Sequence, residues 1–420
     1  MTVRNVNRRF KIIHMSAANR NKAGMLALWS LFWLRQLAGA AVACWGYSSD
    51  GSNWVYEPAP PSLGLVMGFA VSVNVKQVVQ SDGTITGWGL DNYSQLIPPP
   101  DLTNVIAMAD GDYSSFALQQ NGAIKAWGYD GFGETNFPPG LDHVVAISGG
   151  GKHALALKDD GTVVAWGYNG YGQTNVPVWL SNVVAVSAGG WHSVALRSDG
   201  VVVAWGAGAT NPPAGQNQNF GQSRVPNYVS NIVGIAAGGF HSLALRNDGK
   251  VLAWGAGMTN SFGGFNSFHQ HQSVVPSNLS NVAAVAAGDT HSLALKSDGT
   301  VVAWGAFFTN GEFFSYGPAF VPSGLNGVVA IAARSSHDLA LLGDGPPDLK
   351  LWATAVSWSS NKFSLSVPTQ SGRVYCLEYK EDLRASNWVA LPLVAGTGGQ
   401  VVMEDATATA SQRFYRVHRW

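Results

Sequence analysis

Cysteine is nearly absent from this chain of 420 residues: Cys44 and Cys376 are the only two, which excludes a disulfide framework in any compartment. Charge is scarce as well. Charged side chains make up 12% of the sequence, and 25 Lys plus Arg balance 25 Asp plus Glu. A formal net charge of zero argues against the basic surface that holds nucleic acid, so no nucleic-acid partner is expected. There is no nucleophile elbow, no phosphate loop, no metal-ligand spacing and no acid–base pair confined to one segment. The expectation is a protein that is not an enzyme and carries no cofactor and no metal.

Long apolar runs are also missing. The run Met25-Leu-Ala-Leu-Trp-Ser-Leu-Phe-Trp-Leu34 is too short for a confident spanning helix. It follows Arg4, Arg8, Arg9, Lys11, Arg20 and Lys22 and precedes the small-residue segment Leu37-Ala-Gly-Ala-Ala-Val-Ala43. Basic, apolar and small-residue regions in that order read as an export signal over residues 1–40, cleaved near Ala40 or Ala43. A start at Met15 would make it tidier, and Arg35 fits it less well. The expected location is secreted or cell-envelope, with no membrane span after cleavage. Cys44 follows Ala-Val-Ala as a lipidated cysteine would, but it also stands where later repeats carry Ala126, Ala165, Ala204, Ala253 and Ala303, which favours a plain strand residue.

What the chain has instead is glycine, tryptophan and repetition, with 50 Gly and 16 Trp. A Trp-Gly pair begins at Trp45, Trp88, Trp127, Trp166, Trp205, Trp254 and Trp304, spaced by 43, 39, 39, 39, 49 and 50 residues. A period of that size signals a repeat fold. Each unit holds a run such as Val184-Ala-Val-Ser-Ala-Gly189, a second such as His192-Ser-Val-Ala-Leu-Arg197 and a third such as Val201-Val-Val-Ala-Trp205. Short β-branched and apolar runs cut by glycine are strands. Asp82-Gly83, Asn121-Gly122, Asp160-Gly161, Asp199-Gly200, Asp248-Gly249 and Asp298-Gly299 join the second to the third as hairpin turns with positive φ. A weaker fourth strand is expected near Gln173-Thr-Asn-Val-Pro177. The half-unit ending at Asp344-Gly345 lacks a Trp-Gly strand, whereas Ala41-Val-Ala-Cys-Trp45-Gly46 lacks a hairpin partner. Pairing the two would remove exposed edges and give an all-β, seven-bladed β-propeller over residues 41–345, closed by its N-terminal strand.

The unit Gly-x-x-His-Ser-Leu-Ala-Leu-x-x-Asp-Gly-Thr-Val-x-Ala-Trp-Gly, followed by motifs such as Gly167-Tyr-Asn-Gly-Tyr-Gly-Gln173, resembles the regulator of chromosome condensation repeat. The resemblance implies a seven-bladed propeller and a role in protein binding, here in an exported bacterial-type member. From Pro346 the composition changes. Strands near Lys362–Pro368, Arg373–Tyr379, Gln400–Met403 and Arg413–Val417 suggest a small β-sandwich-like module over residues 346–420, similar to C-terminal modules of exported bacterial proteins and read as an attachment or spacer.

Positions shared by all units hold the blade, and positions that vary are free to specialise. The recurring His153, His192, His241, His291 and His337 are read as satisfying backbone groups between strands rather than as metal ligands, the tryptophans as packing between blades, and His269 and His271 as at most an adventitious metal pair. Just before the His position the chain varies: Tyr113, Lys152, Trp191, Phe240, Thr290 and Ser336 are expected to face solvent. The connections after Trp205, Trp254 and Trp304 are long and carry Phe220, then Phe262, Phe265 and Phe268, then Phe307, Phe308, Phe313, Phe314 and Tyr316. Strand parity puts both variable sites on one face of the ring. Aromatic side chains with amides and few charges suit recognition, so Tyr113, Trp191, Phe240 and these loop residues are the expected partner-binding set of a monomeric protein. The partner is expected to be a protein. The alternatives are carbohydrate, or a guanine nucleotide exchange factor-like role if the protein is cytosolic.

Overall fold

A computed structural model describes residues 2–5, 11–16, 42–46, 59–60, 63–64, 66–208, 220–257, 271–305, 308–309, 312–313, 321–343, 353, 355–359, 362–382, 384, 387–408 and 412–419. Seven antiparallel three-stranded sheets form the blades of a propeller. Blade 4 is typical, with an inner strand Val183–Ala188, a middle strand His192–Arg197 and an outer strand Val202–Gly206. In blade 7 the inner and middle strands are Val328–Arg334 and His337–Leu342, and the outer strand is Val42–Gly46 from the other end, with Asp338 opposite Trp45. Val42 and Cys44 of that strand share a core with Val66 and Val78 of blade 1.

The hairpin turns use one positive-φ residue rather than two. Gly161, Gly200 and Gly299 lie at φ 79°, 79° and 83°, while the preceding Asp stays right-handed and accepts a backbone N–H two residues on, as in Thr162 N to Asp160 Oδ1 at 2.9 Å. The expected fourth strand does not form among the described residues. The segment after Gln173 turns instead, with Leu180 N–H donating to the Pro177 carbonyl. Pro177 has no N–H to pair, and the Gln173 carbonyl is taken by two side chains described below.

The repeated His-Ser-Leu-Ala-Leu explains how blades stack. Alternation sends His and both Leu to one face of the middle strand, and Ser and Ala to the other. Leu155 and Leu157 of blade 3 meet Ala195 and Trp205 of blade 4, and Leu293 and Leu295 of blade 6 meet Ala340 and Trp45 of blade 7. Large side chains of one blade thus fill the space left by small ones of the next, and the outer-strand Trp completes the layer.

The recurring histidines bridge the same seams. His153, His192 and His241 reach Ser193, Ser242 and Ser292 of the following blade at 2.9, 2.8 and 2.9 Å, and His291 reaches Asp338 at 2.7 Å. Their partners are therefore side chains rather than the backbone groups expected from the sequence. Each of these serines donates its one hydroxyl proton to the carbonyl of Gln173, Gln222 or Gln272, so the histidine donates from Nε2. Burial presses His153, His192, His241 and His337 down to about 3, leaving them neutral. Glycine makes the ring fit: a Cβ on Gly189 would stand 2.5 Å from both the His192 ring and the Gly238 carbonyl. Where blade 2 carries Ser114 in place of His, blade 3 carries Ala154 in place of Ser. Where blade 1 carries Val75, Gln77 bonds Ser115 instead at 2.7 Å.

Residues 355–419 form two further sheets around Phe363, Leu365, Tyr375, Met403 and Tyr415, with Phe363 stacked on Tyr415 at 3.8 Å. Strands Thr2–Asn5 and Lys11–Ser16 extend one of them beside Gln412–Arg419. Most of residues 1–40, including 25–34, lies outside the described residues, as does the turn at 344–345. The module is docked, not a free spacer. Leu393 N–H donates to Ser198 O at 2.9 Å, Ser371 bonds the Val145 carbonyl, and Val374, Cys376 and Leu393 enter the core of blades 4 and 5. Ser198 lies in an Asp-Gly hairpin and Val145 near the start of an inner strand, so the module sits on the Asp-Gly side of the propeller.

Candidate interaction face

The opposite side is built by a buried Gln or Glu at the end of each connection leading into blades 2 to 6. Gln95, Gln173 and Gln222 are at most 1% exposed. The backbone carbonyl of Gln173 accepts Trp205 Nε1–H and the Ser193 hydroxyl, both at 2.8 Å. Its side-chain oxygen accepts the Tyr171 N–H at 3.0 Å. Gln95 and Gln222 hold Tyr93 and Phe220 in the same way, and Glu134 holds Phe132. One residue therefore locks the outer-strand Trp into the blade and fixes an aromatic residue on the surface two positions earlier.

The result is an arc of rings across blades 1 to 4. Tyr93 lies 5.1 Å from Tyr113 and 5.0 Å from Tyr129. Tyr129 continues to Phe132 at 6.1 Å and Phe132 to Tyr168 at 5.3 Å. Trp191 closes on Tyr168 at 6.1 Å and on Tyr171 at 5.3 Å. Every contact is edge-to-face, the favoured arrangement, worth about 0.5–1.5 kcal/mol per pair beyond buried area. Lys152 Nζ stands 4.3, 5.9 and 5.3 Å from the ring centres of Phe132, Tyr168 and Trp191. Tyr93 and Phe132 remain 44% and 38% exposed.

Near the axis on this side, the inner strands end in a ring of backbone bonds. Gly151 N donates to Gly189 O, Gly190 N to Gly238 O, Gly239 N to Gly288 O and Asp289 N to Ser335 O, at 2.9–3.1 Å. Arg334 reaches across from blade 7 to Asp112 of blade 2 at 2.9 Å, and to the carbonyls of Gly149 and Ala188 at 3.4 Å each. Burial pushes Asp110 up to about 7, against the pull of Ser115, Arg334 and Gln77. Burial pushes Asp112 up to about 6, where Arg334 opposes the rise and Asp289 adds to it.

Strand parity put the pre-His position and the connection after Trp-Gly on one face, and ring contacts join them: Tyr113 with Tyr129, Trp191 with Tyr168, and Phe220 with Phe240 at 5.6 Å. Phe240 does not face solvent as expected; it is 8% exposed and half-buried Phe220 lies against it. Phe308 and Phe313 pair as backbone neighbours in a two-stranded ribbon. Phe262, Phe265, Phe268, Phe307, Phe314 and Tyr316 lie outside the described residues, as does His269. The arc holds five rings that were not on the expected list: Tyr93, Tyr129, Phe132, Tyr168 and Tyr171. They sit in motifs such as Gly167–Gln173, whose recurrence reads as a mark of fold. The recurrence of an aromatic residue two positions before Gln95, Glu134, Gln173 and Gln222 was the available signal.

Residues 144–173, 183–210, 232–263 and 282–312 match the regulator of chromosome condensation (RCC1) repeat. No curated protein sequence matches the chain. Among solved structures, Prp20p of Saccharomyces cerevisiae, described with its binding to Gsp1p and histones, is 21% identical with a TM-score of 0.55, over 73% of this chain and 92% of its own. The yeast RCC1 protein (Prp20) in complex with Kap60 is 20% identical with a TM-score of 0.54, over 73% of this chain and 89% of that one. Human WBSCR16 is 18% identical with a TM-score of 0.52, over 73% and 99%. Identities this low speak for the fold alone. Four blades match the regulator of chromosome condensation repeat, and all seven share one three-stranded antiparallel plan.

Proposed function

We propose that the protein is a non-enzymatic binding protein that recognises a protein partner through the aromatic face. The observation that carries this reading is the arc from Tyr93 to Trp191, seven rings in edge-to-face contact on the side opposite the docked module, three of them fixed by buried Gln or Glu residues. Rigid aromatic groups lose little conformational entropy on binding and dominate interface energetics. Proteins are also the ligands named for the yeast relative, which is described with Gsp1p, histones and Kap60.

The test is affinity capture with the full chain and with a Tyr168→Ala/Trp191→Ala variant of unchanged thermal stability. A protease-sensitive partner held by the parent and lost by the variant is the expected result. A partner held equally by both overturns the assignment of the face, and capture abolished by glycosidase but not by protease moves the ligand class to carbohydrate. We further propose that the meeting takes place outside the cytosol, on the strength of the basic, apolar and small-residue series within residues 1–43. An N-terminus between Ala41 and Cys44 in the medium or envelope fraction supports export, and an intact Met1 or Met15 in the cytosol refutes it.

A further inference from the structure

The chemistry of the face narrows what kind of protein segment it takes. Its rings already receive one cation, because Lys152 Nζ sits 4.3 Å from the centre of Phe132 and 5.3 Å from that of Trp191. Ring faces are negative at their centres and attract ammonium and guanidinium groups. Tyr93 and Phe132 keep about two-fifths of their surface open beside it. Carboxylates punctuate the same surface: Asp91 and Asp130 are exposed in the connections that carry Tyr93, Tyr129 and Phe132, and Asp112 and Asp289 stand at the axial mouth.

The two mouth carboxylates are not equivalent. Asp112 is engaged by Arg334 at 2.9 Å. Asp289 is half-buried, and its carboxylate has no ion pair among the described residues. Its Oδ1 lies 2.7 Å from where a Cβ on Gly239 would stand, so glycine at 239 makes room for it. The charge of Asp289 is one of the causes that lift Asp112, against the opposing pull of Arg334 and Lys152.

We infer that the face binds an extended, positively charged segment of its protein partner, with one arginine or lysine seated at Asp289 and others lying on the Tyr93, Phe132 and Trp191 rings. This rests on the reading of the face as the partner surface and adds the class of segment. Opposite charge at a half-buried mouth gives register and on-rate, and aromatic faces beside it discriminate a cation from a neutral chain.

The experiment uses the full chain and two labelled synthetic peptides, one with arginines spaced by glycine and serine and one with glutamates in their place, read by fluorescence anisotropy. The arginine peptide should bind, weaken as salt is raised, and lose on the order of tenfold in affinity with Asp289→Asn. Each of Tyr93→Ala and Trp191→Ala should cost about two- to fivefold, the range of exposed cation–π contacts. No binding of the arginine peptide, equal binding of the glutamate peptide, or salt-sensitive binding unchanged by the ring variants each overturns the inference. If capture of a partner still depends on Tyr168 and Trp191 while the arginine peptide fails, the face stands as the partner surface and only the positively charged segment is refuted.

Discussion

Removing one hydrogen bond of the His–Ser relay offers a quantitative test of how the blades are held. At the seam between blades 4 and 5, His192 is fully buried and its Nε2 lies 2.8 Å from Ser242 Oγ, which passes its own proton to the Gln222 carbonyl. Ser242→Ala leaves the His192 N–H buried without an acceptor, a cost of about 1–3 kcal/mol. His192→Ala removes a packed ring and leaves a cavity, at about 2–5 kcal/mol by analogy with other large-to-small core changes. The double variant loses the bond only once, so the cycle should show about 1–2 kcal/mol of coupling. Urea unfolding followed by tryptophan fluorescence gives the global values, and hydrogen exchange over His192–Arg197 and His241–Arg246 localises them. A parallel cycle with Ser114→Ala and Ala154→Gly, at the seam that lacks the pair, should show no coupling. Losses at the His192 seam that add to within about 0.3 kcal/mol would refute the relay as a holding element.

Other outcomes follow from the same geometry. His153, His192, His241 and His337 are pressed to about 3 by burial, while the unfolded chain takes up these protons below about 6.5. Their contribution is therefore present above about 6.5 and is lost as pH falls toward 3, at up to ~1.4 kcal/mol per pH unit for each. Asp110 at about 7 and Asp112 at about 6 run the other way, because the native state keeps protons that the unfolded state releases above about 4. Over these six groups the slope is a loss of roughly 3 kcal/mol for each unit that pH falls near 5. The raised carboxyls of Glu134 and Asp338 reduce that loss, and stability that rises as pH falls from 7 to 5 in denaturant titrations would contradict the reasoning. Glu134 stands where other connections carry Gln, and burial raises its carboxyl. Glu134→Gln keeps the acceptor for Phe132 N–H and should raise stability by up to about 1 kcal/mol, visible as a higher urea midpoint. Gly189→Ala brings a Cβ to 2.5 Å from the His192 ring and the Gly238 carbonyl. It should cost at least about 1–3 kcal/mol, whereas Gly133→Ala, which meets nothing within 4 Å but sits at φ 80°, should cost only its backbone strain of about 1 kcal/mol.

Much of this architecture is written in local chemistry. Asp-Gly pairs mark the hairpins because only glycine takes the left-handed position cheaply, and Trp-Gly marks the outer strands because each Trp must fill the layer between blades. The N-terminal strand and the unpaired half-unit each lack what the other supplies, and Val42–Gly46 lies against His337–Leu342. The fourth strand was misread because Gln173-Thr-Asn-Val has the composition of a strand, while the use of its carbonyl by Trp205 and Ser193 depends on tertiary contact. The partner of each histidine was missed for a similar reason: Ser193 and Ser242 lie 40 and 50 residues away from His153 and His192. The site was legible only in part. Tyr113 and Trp191 stood out because they vary between units, whereas Tyr168 and Tyr171 were hidden by the rule that recurrence means structure. Here the recurring Gln serves structure and presents a ring at the same time. The docking of the C-terminal module through Leu393 and Ser371 carries no periodic signal at all.

The most direct test of the central claim is photocross-linking in the producing cell, with a photoreactive amino acid placed at Tyr171 on the aromatic face or at Asp248 in a hairpin turn on the opposite side. A partner adduct should form from position 171 and none from position 248. Adducts from position 248 alone would move the binding surface to the side of the docked module and contradict it.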